Sequence, residues 1–217
     1  MKPGPRRSIS QTDIVETAFE ILEQKGFAAV SIRGVAAALG LTPTAMYTYF
    51  PSKNALLRAM VEQVLAGLDL EGAADADVDW RDRVLALAVD LRSRLAAHAG
   101  AMLLVTSGPL DGPHARRLTE TLIAGFTSER MPLADAARAA DAVRAYVLGA
   151  AALDAAVRAA EAPEGTATAG PALWTEATAH PLTDAAAELD GDADGGFAWG
   201  LDRLLDGLLA GVGASAT

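Results

Sequence analysis

The chain has 217 residues, 51% of them hydrophobic, 21% charged and 5% aromatic, and no cysteine. So much apolar material excludes a disordered chain, alanine richness favours helices over strands, and the missing thiols exclude disulfides, cysteine-held zinc, iron–sulfur clusters and thiol nucleophiles. The net charge of −10 opposes nucleic-acid binding by the chain as a whole, but residues 1–60 hold seven bases against four acids and the remainder eleven against twenty-four, which marks an N-terminal module suited to a polyanion.

Residues 1–7 are basic but run into a polar stretch, so no secretory apolar segment is expected, and no run approaches the ~20 apolar residues of a membrane span. A soluble, cytoplasmic protein is expected. Ser10-Gln11-Thr12-Asp13 reads as a capping box, and Ile14, Val15, Ala18, Phe19, Ile21 and Leu22 recur at helical spacing until Gly26. Ser31 caps a second, short helix with Ile32, Val35, Ala36 and Leu39 inward. Gly40 stops it, and Thr42-Pro43 starts a third helix that runs to about Tyr49. Ser52 caps a fourth, whose Leu56, Leu57, Met60, Val61, Val64 and Leu65 form a broad apolar face.

Residues 67–79 are acidic and, apart from Leu68, Leu70 and Val78, poor in large apolar side chains, which predicts a linker. The helical period resumes at Trp80 and runs to about residue 99. A short helix is expected over 102–105, another around Leu118, Leu122, Ile123 and Phe126, and a long alanine-rich one from Pro132 to about residue 160. Residues 161–171 read as a loop, 173–189 as one or two helices broken at Pro181, and 197–212 as a last amphipathic helix. The fold class is all-α: a domain built on a three-helix helix-turn-helix unit over 1–66 and a larger helical domain over 67–217.

Helix, glycine-containing turn, helix, with small and hydroxyl side chains at the start of the second, is what a major-groove reader needs, because that end must be thin to reach base edges. The run Ser31-Ile32-Arg33-Gly34-Val35-Ala36-Ala37-Ala38-Leu39-Gly40-Leu41-Thr42-Pro43-Thr44-Ala45-Met46-Tyr47-Thr48-Tyr49-Phe50-Pro51-Ser52-Lys53 resembles the DNA-binding signature of the tetracycline-repressor (TetR/AcrR) family of transcription regulators. Asp79-Trp80-Arg81-Asp82-Arg83 and the ending from Phe197 to Leu208 are similar to that family's C-terminal domain. The resemblance implies an all-helical homodimer that binds double-stranded palindromic operator DNA and releases it on binding a small, hydrophobic effector. By position in the motif it implies base contacts from Arg33, Thr44, Ala45 and Thr48, backbone contacts from Ser31, Tyr47, Tyr49 and Lys53, and DNA proximity for Thr42 and Pro43. Met46 and Phe50 go to the core.

The family's namesake holds its drug through a metal chelate, with a histidine in a segment where this chain reads Met102-Leu103-Leu104-Val105, so tetracycline is not the expected effector. His98, His114 and His180 lack metal-ligand spacing, and Asp190-Gly191-Asp192-Ala193-Asp194-Gly195 opens like a calcium loop but reaches Leu201 where a bidentate glutamate is needed. No metal and no cofactor is expected. Enzyme signatures are missing too: there is no GxSxG elbow, no GxxxxGK, and no strand on which a GxGxxG would act. A ligand-sequestering helical protein without a DNA role is the alternative, opposed by intact Arg33, Tyr47, Tyr49 and Lys53.

For the effector pocket the family's cavity segments nominate Leu91, His98, Met102, Leu103, Leu122, Phe126, Tyr146 and Trp174, with Tyr146 and His98 as polar handles and a neutral or cationic compound as occupant. For the dimer, the last helix offers Leu201, Leu204, Leu205 and Leu208 beside the glycines 196, 200, 207 and 211, which let helices approach.

Overall fold

A computed structural model describes residues 9–75, 77–97, 104–105, 110–161, 181–182, 185 and 193–210. Helix α1 (Gln11–Lys25) has both halves of its capping box: the Ser10 hydroxyl accepts from the Asp13 amide at 3.1 Å and the Asp13 carboxylate accepts from the Ser10 amide at 2.7 Å. A 3₁₀ turn (Phe27–Ala29) leads to α2 (Ile32–Ala38), capped by Ser31; α3 (Pro43–Met46) is capped by Thr42 and α4 (Lys53–Ala66) by Ser52. These caps satisfy amides that a short helix cannot pair internally, which matters most where the helix is one or two turns long. Ile14, Ala18, Leu22, Val35, Met46, Leu56 and Met60 are buried between these helices.

The second part of the chain folds as α5 (Trp80–Ala97), α6 (Pro113–Ser128), α7 (Leu133–Glu161) and α8 (Ala193–Ala210). Helix α7 lies along α5 and α6, and α8 packs on α5 and α7. The inward face of α7 is nearly flat, with Ala136, Ala139, Ala140 and Ala151 buried beside Val143 and Val147, so neighbours approach closely, and bulky Phe126 of α6 is fully buried. One continuous apolar cluster joins the two parts; α4, which packs on α1, α5 and α6, contributes Val61, Val64 and Leu65 to it. Among the described residues there is no strand, and no helix is long and apolar enough to cross a membrane.

Four expectations need correction. Residues 67–79 are anchored rather than a plain linker: Leu68 and Leu70 are buried in the core and a 3₁₀ turn (Gly72–Ala74) follows them. Helix α3 stops at Met46, and the amides of Thr48 and Tyr49 close three-residue bonds to Ala45 and Met46, a tighter winding than the α-helix. Helix α8 begins at Ala193 rather than 197, with Asp194 in its first turn paired to Arg92 at 2.9 Å. Leu201 and Leu205 are 0% and 1% exposed within their own chain, because with Phe197 they form the stripe that faces α5 and α7, so neither is available to a partner. Leu204 and Leu208 are half-buried.

Candidate nucleic-acid interface

The turn between α2 and α3 fixes their crossing. Gly40 adopts φ 66°, a left-handed conformation that penalises any side chain, and the Leu41 amide returns to the Ala36 carbonyl at 2.8 Å. Met46 and Phe50 are buried, as expected of core residues. With Met46 turned inward, Thr42, Pro43, Thr44, Tyr47 and Thr48 are all exposed, Tyr47 by 54%, and Arg33 is exposed on α2. The hydroxyls of Ser31 and Thr42 serve as helix caps, and that of Thr48 donates to the Ala45 carbonyl at 2.6 Å. Ala45 is half-buried. Tyr49, three residues after Met46, packs its ring against the core while its carbonyl accepts from Gln11 Nε2 at 3.1 Å, so it presents less to DNA than Tyr47 does. Lys53 opens α4 with its Nζ 5.3 Å from the Phe27 ring centroid, a cation held at the positive end of a helix.

Helix α4 joins the head to the body. Its Glu62 accepts from the amides of His114 and Ala115 at 2.7 and 3.2 Å and meets His114 Nδ1 at 3.0 Å, so it caps α6 from another helix. Gly112, the N-cap of α6, supplies no side-chain cap of its own, and a Cβ there would meet Glu62 at 2.2 Å. Arg58 adds an ion pair to Asp111 at 3.1 Å.

In the body, a cavity of about 240 Å³ opens between α5, α6 and the Gly72–Ala74 turn, lined by Trp80, Arg83, Val84, Leu87, Thr121, Leu122, Gly125 and Ser128 among others. A second cleft of about 420 Å³ lies on the other side of Arg83, bounded by Asp69, Val78, Asp82 and Asp90. A third, of about 560 Å³, runs between α1, α4 and α5 and carries Glu16, Glu20, Glu23 and Arg94. Of the nominated pocket residues, Leu122 lines the first cavity. Phe126 is fully buried behind it with its ring centroid 5.3 Å from that of Trp80, and Leu91 is plain core. Tyr146 is not a free polar handle: its hydroxyl donates to the Phe197 carbonyl at 2.9 Å and its ring stacks on Phe197. His98, Met102, Leu103 and Trp174 lie outside the described residues. Arg92 ties α5 to α7 and α8 through Asp154 and Asp194, and the hydrogen bond it donates to the Asp154 carboxylate, opposed by burial, raises its already high pKa.

Residues 14–60 match the family model of the bacterial regulatory proteins of the tetR family, and residues 73–212 match that of the tetracyclin repressor-like C-terminal domain. The chain belongs to the TetR family. This TetR protein is 28% identical to the HTH-type transcriptional repressor DrrR1 of Streptomyces coeruleorubidus, over 94% of this chain and 79% of that one. An HTH-type transcriptional regulator of Saccharopolyspora erythraea is 30% identical over 65% of this chain and 59% of its own length. Apo ActR of Streptomyces coelicolor superposes with a TM-score of 0.76 at 25% identity, covering 98% of this chain and all of that one. Family and fold make the TetR protein a ligand-responsive, DNA-binding transcription regulator and not an enzyme.

Sequence reading missed Trp80, Arg83, Gly125 and Ser128 as cavity residues. A signal existed for Arg83: it follows Trp80 by three residues and precedes Leu87 by four, on the inward face of α5.

Proposed function

We propose that this TetR protein is a repressor that binds a palindromic operator as a homodimer in the bacterial cytoplasm and leaves it when a small hydrophobic effector enters the body. The observation that carries this reading is the exposed face of α3 and its following turn, which holds small side chains at its start and an exposed tyrosine beyond them. Arg33, Thr44 and Thr48 then approach base edges, with half-buried Ala45 behind them. Tyr47, Lys53 and, to a lesser degree, Tyr49 take phosphates, and Ser31, Thr42 and Pro43 shape the reading helix. The similarity to a protein named as a repressor supports repression over activation.

A dimer is needed to present two heads at half-sites about one helical turn, ~34–36 Å, apart. The apolar side chains left uncovered support one: Leu153 and Val157 on α7 and Trp199 on α8 are exposed, and a Cβ at Gly149, Gly196 or Gly207 would meet nothing within 4 Å. Half-buried Leu204 and Leu208 pack against the chain's own core instead. The effector works by favouring a body in which α4 holds the heads at the wrong spacing, and a coupling of about 1–3 kcal/mol changes operator affinity roughly 5- to 150-fold. The test is a reporter gene driven by the DNA upstream of this protein's own gene. Co-expression should lower reporter output and Arg33→Ala should restore it; unchanged output with a folded protein present would overturn the reading.

A further inference from the structure

Arg83 puts a cation on the inward face of α5, between Trp80 and Leu87, where the helical period calls for an apolar side chain. Its Nε is buried and donates to no acceptor among the described residues, and its Nη1 reaches the Ala73 carbonyl only at 3.5 Å. Leaving such a donor unpaired is costly, and the other arginines of α5 avoid it. Arg81 pairs with Asp202 and Asp206, Arg92 with Asp154 and Asp194, and Arg94 with Asp90. Two acids of the neighbouring cleft are already engaged, Asp69 by the Gly72 amide and Asp90 by Arg94. The cavity itself is lined by no carboxylate.

Around that guanidinium the walls are apolar, with Trp80, Val84 and Leu87 on one side and Leu122 and Gly125 on the other. Thr121 and Ser128 donate their hydroxyl protons to the carbonyls of Arg117 and Gly125, so they offer no donor to an anion and Arg83 does. We propose that this cavity is the effector site and that it selects a small amphiphilic carboxylate, its head on Arg83 and its apolar body between Trp80 and Leu122. Guanidinium recognises carboxylate with paired hydrogen bonds between opposite charges, whereas an alcohol oxygen accepts from it without the ion pairing and an ammonium accepts nothing and is repelled. At roughly 30 Å³ per water-sized unit, the cavity of about 240 Å³ takes a compound of about eight to ten heavy atoms. The inference rests on the effector-released repressor reading and replaces the neutral or cationic compound expected from the sequence.

Gly125 provides a way to close the cavity without touching Arg83. A Cβ there would lie 3.7 Å from Trp80 and 3.9 Å from Val84, ordinary contacts, so a leucine at this helical position fills the space. The test is calorimetric titration of the full-length protein with benzoate, benzyl alcohol and benzylamine, bodies of one size with three different heads. Wild type should bind benzoate at least about tenfold tighter than either other compound. Arg83→Gln should erase that preference, and Gly125→Leu should abolish benzoate binding. Equal binding of the three by wild type, no binding of benzoate, or a benzoate preference that survives Arg83→Gln overturns the proposal. The upstream operator is titrated in parallel without any compound: operator binding with no carboxylate preference sinks this inference alone, whereas loss of operator binding by wild type sinks the repressor reading itself.

Discussion

At the surface of the head, single side chains divide the labour of binding. Under the proposed function Lys53, held over the Phe27 ring at the start of α4, takes phosphate and not bases, so Lys53→Ala should weaken binding to every DNA sequence and flatten the salt dependence by about one counterion. Arg33→Ala and Thr44→Ala should instead relax preference at defined operator positions, each by roughly 1–3 kcal/mol, as read by competition among operator variants. A Lys53→Ala protein with altered sequence preference and an unchanged salt slope would refute this division. The recognition string was legible because its residue types are dictated by groove width and turn chemistry. The motif assigns Tyr47 and Tyr49 the same role, and their different exposures show only in the structure, although the three-residue step from buried Met46 to Tyr49 carries the signal. Arg83 was harder to see, because a charged residue in a helical pattern reads as solvent-facing until a neighbouring helix covers it.

Between helices, the contacts that matter join residues far apart in the chain, and composition and periodicity are blind to them. Caps and stops of α1 to α4 were readable because each is local to a few residues, whereas the clasp of Glu62 on the first turn of α6 spans 52 residues. Glu62→Ala leaves two amides of α6 uncapped and should cost about 1–3 kcal/mol in urea unfolding. It should also weaken the coupling between effector and operator by loosening α4 from the body. A second clasp joins α5 to α8 through Arg81 and Asp202, and there the hydrogen bond from Arg203, opposed by desolvation and helped to a lesser degree by Arg81, holds the Asp202 carboxyl below its ordinary range. A depressed acid stabilises the fold above its unfolded pKa and loses that contribution as pH falls through the folded one. The melting temperature should therefore fall as pH drops below about 4, with a shallower slope in Arg203→Gln.

For the whole molecule, the sequence predicted a helical body but not which leucines of α8 face inward. An apolar stripe on an amphipathic helix looks alike whether it meets its own core or a second chain. With Leu201 and Leu205 buried in their own chain, the dimer surface we propose rests on exposed Leu153, Val157 and Trp199. Leu153→Glu with Trp199→Glu should give a monomer by light scattering at micromolar concentration and lose operator binding with it, while Leu205→Glu should unfold the body by placing a charge in the core. Helix α4 packs on α1 of the head and on α5 and α6 of the body, and under the proposed function it would make head spacing depend on body shape. The central claim is that two such heads read one palindrome, and the direct measurement is the affinity of purified protein for the upstream palindrome against the same DNA with one half-site scrambled, at fixed salt. The account predicts at least about a hundredfold loss on scrambling, two or more mismatches at roughly 1–3 kcal/mol each. Equal affinity for the two would contradict it.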